Sequence, residues 1–161
     1  MKEFDNILKF AEHLLLLRHE LHVHEKRGLE KACVIIETDC REQIGRYQDA
    51  HGPYPEWEPL AESTEAEKER LGYKADAPLL REGDLRDSFK HEVQGDEALV
   101  GSIDPVMLFH EFGTSKMPPR PVVGPAVYKK HDEIMGEIGK AFVEAIVGTE
   151  LSNSALRQAK D

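Results

Sequence analysis

Helical periodicity at both ends of the chain, one alternating hairpin between them and a proline-braced loop predict a mixed α+β fold. The N-terminal pattern places Ile7, Phe10, Leu14, Leu17 and Leu21 at three- and four-residue steps, the spacing of one helical face. Around residue 90, Phe89, His91 and Val93 alternate with Lys90 and Glu92, as a half-buried strand does. Between hairpin and last helix, Leu108 to Ala126 reads LFHEFGTSKMPPRPVVGPA, with Pro118, Pro119, Pro121 and Pro125 crowded together. Proline fixes φ and glycine frees it, so this stretch is an ordered crossing and not a flexible linker.

Taken in order, residues 2–26 read as a first helix, whose broad apolar face, widened by Leu15 and Leu16, must cover its own domain or a neighbouring copy. Gly28 then marks a break. Leu29 to Tyr47 reads as a second helix with the inward stripe Leu29, Cys33, Ile36, Cys40, Ile44 and Tyr47. A single helix running through Gly28 is the alternative, at a cost of about 1 kcal/mol for the glycine. Residues 50–60 dissolve into turns, with Trp57 and Leu60 as the anchors pinning them to the core. Thr64 and Glu67 fit a capping box, and Gly72 is the C-terminal stop of that short helix. The hairpin turns at Gln94-Gly95-Asp96-Glu97 and returns through Ala98 to Ile103. Val106 to Phe112 is a short helical turn. The last helix runs from Ala126 to Val147 with Val127, Ile134, Ile138, Phe142, Ala145 and Ile146 inward, and Gly148 ends it. The chain thus divides into a helical extension over 1–27, a central domain over 28–148 and a tail over 149–161 with little to bury.

The 161 residues carry a formal net charge of −10, which argues against a duplex-binding protein, since phosphates are neutralised by clustered Lys and Arg. It does not exclude a wall past which nucleic acid slides. No signal peptide is legible and no apolar run approaches the roughly 20 residues that span a bilayer. Cys33 and Cys40 lie about 10 Å apart along a helix, too far to bridge, and read as buried small hydrophobes. His13, His19, His22 and His24 invite a metal hypothesis, yet neither a His-Glu-x-x-His nor a Cys-x-x-Cys spacing is present. His110-Glu111 imitates an acid/base pair, but adjacent side chains diverge. No nucleophile elbow or phosphate-cradling glycine loop occurs. The residues themselves therefore indicate an interaction protein with no catalytic group and no cofactor.

Several landmarks fall in a recognisable order: Trp57-Glu58-Pro59-Leu60, Thr64 and Lys68, then Leu80-Arg81-Glu82-Gly83-Asp84-Leu85-Arg86-Asp87-Ser88. Gly101-Ser102, His110-Glu111-Phe112-Gly113-Thr114, Pro119-Arg120-Pro121 and Gly124-Pro125-Ala126 complete the set. In order and spacing these resemble the tail-completion, or virion-morphogenesis, family of tailed bacteriophages and prophages, over about Gly28 to Ile146. The chain departs from the family pattern at Glu82 (usually Thr), at Asp84 (usually basic), at Leu108-Phe109 (often Tyr-Ala) and at Val122, where an aromatic commonly follows Arg-Pro. These departures mark a divergent subgroup and leave the position within the neck open.

The resemblance implies an α+β fold: a small, mostly antiparallel sheet packed against a long C-terminal helix, with N-terminal helices. It implies a non-enzymatic virion protein of the neck, assembled in the bacterial host cytoplasm as a six-fold homo-oligomeric ring. DNA would pass through the lumen without sequence-specific binding, and head-closure, tail-terminator or tail-tube proteins would be its neighbours. A tail terminator or another connector ring is the alternative within that class. Outside it stand a cytosolic helical adaptor and a metal-dependent enzyme. The resemblance assigns Phe109, Phe112, Gly113, Arg120 and Pro121 to the loop that meets a neighbour, packing within the chain alone being the equal alternative, with Trp57, Leu60 and Leu85 as structural anchors. Arg120 is the expected intersubunit contact, because its forked donors grip carboxylates bidentately.

Overall fold

A computed structural model describes residues 6–158 of the chain, with side chains through residue 148. Five helices and one hairpin follow in the order α1 (Ile7–Gln43), α2 (Glu62–Arg70), α3 (Asp84–Asp87), β1 (Phe89–Gln94), β2 (Glu97–Ser102), α4 (Val106–Phe112) and α5 (Val123–Gln158). The fold is α+β: a two-stranded antiparallel sheet packs on the long helical pair α1 and α5. Residues 2–5 of the expected first helix and residues 159–161 of the expected tail lie outside the described residues.

Gly28 does not break the chain. One helix of 37 residues runs from an Asn6 cap, whose side chain accepts the Lys9 N–H at 2.9 Å, through Gly28 to Gln43. The glycine instead permits contact: a Cβ on Gly28 would sit 2.8 Å from the Ala141 Cβ. The two long helices are antiparallel and approach closely where Gly28 meets Ala141, and the nearby alanines Ala32 and Ala145 are buried too. Lys31 to Glu137 at 3.1 Å and Lys129 to Asp39 at 3.3 Å flank that seam.

Gly148 does not end α5 either. The helix continues to Gln158, because Glu150, Leu151, Ala155, Leu156 and Arg157 are good helix formers and one interior glycine costs only about 1 kcal/mol. At 37 and 36 residues, each helix is about 55 Å long at 1.5 Å per residue. The expected inward stripe on α5 holds in part: Ala145 is buried and Ile134 and Ile138 are half-buried, but Val127, Phe142 and Ile146 are exposed, and Ala126 and Ala141 are buried in their place, since a close helix crossing leaves no room for larger groups. On α1, Ile7, Phe10 and Leu14 of the expected apolar face are exposed.

The core sits where the lower ends of α1 and α5 meet the hairpin and loops. Cys40, Ile44, Trp57, Phe89, Met107, Val122 and Ala126 form it, with Leu80 and Leu85 packed on its edge. Both cysteines are free and buried. Burial, then the nearby Asp39, pushes the Cys40 thiol up to about 12, so it behaves as a small hydrophobe. The capping box is corrected: α2 starts at Glu62, and the Thr64 N–H bonds the Ala61 carbonyl at 2.8 Å, inside the first turn. The hairpin matches expectation closely. Phe89 pairs with Ser102 and Gln94 with Glu97, Phe89 is fully buried, and the distal half of the ribbon is exposed.

Candidate functional site

The loop from α4 to α5 is stitched at both ends. The chain leaves α4 at Gly113, where φ is 72° and ψ is 178°, a combination essentially reserved to glycine. Thr114 and Met117 then form a bridge, with the Thr114 N–H on the Met117 carbonyl at 2.8 Å. Further on, the Arg120 N–H donates to the His110 carbonyl at 2.6 Å and returns the loop to α4.

Glu111 completes the stitching. The start of α5 has no Ser, Thr, Asp or Asn before it, so its orphan N–H groups need a distant acceptor. The Glu111 carboxylate supplies one, taking the N–H groups of Val122 at 2.8 Å, Val123 at 3.5 Å and Gly124 at 3.4 Å. A carboxylate at a helix N-terminus also meets the positive end of the helix dipole. Glu111 is thus a tie between two helices. The missing local cap ahead of Gly124-Pro125 was the sequence signal for it.

Arg120 is 4% exposed and turns inward. Its Nη2 donates to the carbonyls of Glu58 at 2.9 Å and Pro59 at 3.2 Å, so within the chain it braces the loop. The Trp57 Nε1 answers from the other side, donating to the Pro121 carbonyl at 3.2 Å. Two segments more than 60 residues apart in sequence are thereby locked together. Among the residues the resemblance assigns to a neighbour, Phe109 and Phe112 are 54% and 75% exposed, while Pro121 and Gly113 are half-buried. Val106, Leu108 and Ile103 are exposed beside those two aromatics. Of the structural anchors, Trp57 is buried in the core, Leu85 packs on its edge, and Leu60 is half-buried.

Behind this loop lies a cleft of about 760 Å³. Thr64 and Lys68 of α2, Leu80 to Leu85, His110 of α4, and Met117, Pro118 and Arg120 converge on it with Pro59 and Leu60. Most of the ordered landmarks of the sequence therefore meet at one place. Leu79, on its wall, has a φ of 63°, a left-handed conformation costing a non-glycine residue roughly 1–2 kcal/mol. Lys68 is only 3% exposed; its ammonium donates to the Ala77 carbonyl. Burial, reinforced by Arg81, lowers its pKa. Burial, then the adjacent Arg120, likewise lowers that of His110.

Away from the cleft, His91 ties the hairpin to α1. Its Nδ1 meets Glu37, and its Nε2 lies 3.1 Å from Glu30. Glu37 also pairs with Arg41 at 2.5 Å, and Arg41 donates to the Phe89 carbonyl at 2.9 Å. The hydrogen bond to Glu37, then that to Glu30, raises the His91 pKa. Among the described residues no three His, Cys, Asp or Glu side chains converge to hold a metal ion, and no helix is long and apolar enough to cross a membrane.

No curated protein and no solved structure matches the chain. Residues 36–141 do match the family model of phage virion morphogenesis. That span takes in the lower part of α1, the cleft, the hairpin, the stitched loop and more than half of α5. The chain belongs to the phage virion morphogenesis family.

Proposed function

We propose that this chain is a non-enzymatic structural protein of the phage neck, completing the tail or joining it to the head as a homo-oligomeric ring around the DNA path. The observation that carries the reading is the surface presented by α4. Phe109 and Phe112 stand exposed at the head of a loop made rigid by Glu111, Arg120 and Trp57. A monomer gains nothing from holding two aromatics in water on a fixed corner, whereas a neighbouring copy that covers them does. A six-fold ring fits the resemblance in the sequence. The net charge of −10 suits a lumen that DNA traverses without adhering. A tail-terminator ring is the second reading, and the acidic surface supports both.

Light scattering and negative-stain electron microscopy of the purified protein test the proposal. Closed rings with a central hole are expected, and the double variant Phe109→Ser/Phe112→Ser should fall apart to monomers while keeping its helical content. A protein that stays monomeric alone and with tail tubes, and whose removal still permits head–tail joining, would overturn it.

A further inference from the structure

The two ends of the hairpin are held in different ways. At the base, Phe89 is fully buried in the core, Arg41 donates to the Phe89 carbonyl at 2.9 Å, and the Ser88 and Ser102 hydroxyls share a hydrogen bond of 2.7 Å. At the far end, every residue from Gln94 to Leu99 is exposed. Between them, His91 is the one ribbon side chain among the described residues that hydrogen-bonds α1. Its Nδ1 meets Glu37, and its Nε2 lies 3.1 Å from Glu30. These carboxylates stand two turns apart on one helical face, and the ring bridges them.

The chemistry of the ring decides which charge state the bridge needs. A neutral imidazole carries one N–H and one lone pair. It donates to one carboxylate only, and turns its lone pair on the other. Imidazolium donates to both. The surrounding groups supply no substitute cation. On α1, Arg41 is engaged by Glu37 at 2.5 Å and by the Phe89 carbonyl, and Cys33 is a buried thiol whose pKa is raised by burial, then by Glu30 and Glu37. On the ribbon, Lys90 and Glu92 alternate to the opposite, exposed face, and Val100 stands across from His91. The hydrogen bonds to Glu37 and then Glu30 outweigh burial and raise the His91 pKa.

We propose that His91 is a proton-operated latch on the hairpin: as imidazolium it clamps the ribbon to α1, and on losing its proton it frees Lys90 to Gly101 while Phe89 and the serine pair hold the base. Release leaves the core intact, because Phe89 is the only ribbon residue in it. A two-stranded ribbon has little stability of its own, so its cross-strand N–H groups lose protection once it lifts. An opened ribbon returns the ring to its ordinary value of 6.5. The latch is therefore fully closed below 6.5, and its opening constant rises by about tenfold per pH unit from there to the raised value, then levels off.

Hydrogen exchange on the full chain between pH 6 and 9, with each rate divided by that of unstructured peptide at the same pH, tests it. Protection of the ribbon amides should fall with pH in the wild type. His91→Arg keeps a cation with donors for both carboxylates and should hold protection level and high, whereas His91→Gln should be low throughout, matching the wild type at high pH. The wild-type His91 ring, followed by NMR, needs no variant to fold and should titrate above 6.5 in step with the lost protection. Ribbon protection that stays level in the wild type, or falls as steeply in His91→Gln, overturns the latch, as does a ring that titrates at or below 6.5. Ribbon amides as protected at pH 9 as the buried seam of α1 and α5 would open only with the whole chain, and overturn it equally.

Discussion

Replacing Gly113 by alanine tests the stitched corner directly. The residue occupies φ 72°, ψ 178°, a region where a non-glycine residue is strained by about 1–3 kcal/mol. The added Cβ would also lie 2.9 Å from the Pro119 nitrogen and 3.0 Å from the Met117 carbonyl oxygen. Both are backbone atoms of a loop fixed by prolines, so neither moves aside by a rotamer change, and crowding of this kind costs a further 1–3 kcal/mol or so. The two together, about 4 kcal/mol at the middle of these ranges and at roughly 2–4 °C per kcal/mol for a chain of this size, lower the melting temperature by about 8–16 °C. Gly95→Ala is the control, because Gly95 has a similar φ of 65° with nothing within 4 Å of its would-be Cβ. It carries the conformational cost alone, about 1–2 kcal/mol. Circular dichroism melts of the three proteins decide the matter. A Gly113→Ala variant that melts as high as Gly95→Ala would show that the loop yields, and that the corner is not rigid.

Two further outcomes follow from the same structure. Gly28→Leu should splay the upper ends of α1 and α5, since even a Cβ meets Ala141 at 2.8 Å, whereas Gly139→Ala meets nothing and should stabilise the protein by about 1 kcal/mol through helix propensity alone; denaturant titration of both checks the contrast. The His91 contact should make stability fall as pH rises. Its folded pKa is raised by Glu37 and Glu30, so the protonated imidazolium contributes fully below the ordinary value of 6.5 and is lost as pH climbs through the raised one. Melts between pH 6 and 9 should show that decline, and His91→Gln should flatten it.

What was legible in the sequence followed the local rules. Alternation over Phe89 to Val93 gave the hairpin to within a residue, and Asp104-Pro105 gave the start of α4. The glycines misled, because a glycine in a helical pattern serves equally as a stop and as a point of close approach. At Gly28 the partner that decides between them is Ala141, more than a hundred positions away. The same distance hid the true seam of α5. Periodicity marks which residues share a face, but large side chains and alanines compete for it, and only the separation of the helix axes shows which are buried. At the site, Trp57 was legible as an anchor because a lone tryptophan in a turn-rich stretch has little else to do. Arg120 was expected at a neighbour's carboxylate, and no local feature reveals the Glu58 and Pro59 carbonyls that hold it. Glu111 was visible only as one of two adjacent polar groups. Its role needed the start of α5 to be placed twelve residues on.

In the proposed ring, the stitching matters because of what closure demands. An error in the angle at which one copy meets the next is repeated at every contact, so a closed ring tolerates less play in each corner than a single interface would. Flexible contact residues would also be ordered on assembly at a cost of roughly 0.5–1.5 kcal/mol for each long side chain immobilised. This chain meets both demands inside the monomer. Glu111 joins the last turn of α4 to the first turn of α5, and Arg120 and Trp57 clamp the intervening loop to residues 57–59. Phe109 and Phe112 are therefore fixed relative to a helical pair some 55 Å long. In the proposed assembly, a copy seated on those aromatics would inherit the direction of that arm as well as the position of the patch. It follows that loosening the corner should disturb the size and closure of the assembly before it disturbs the affinity of any one contact.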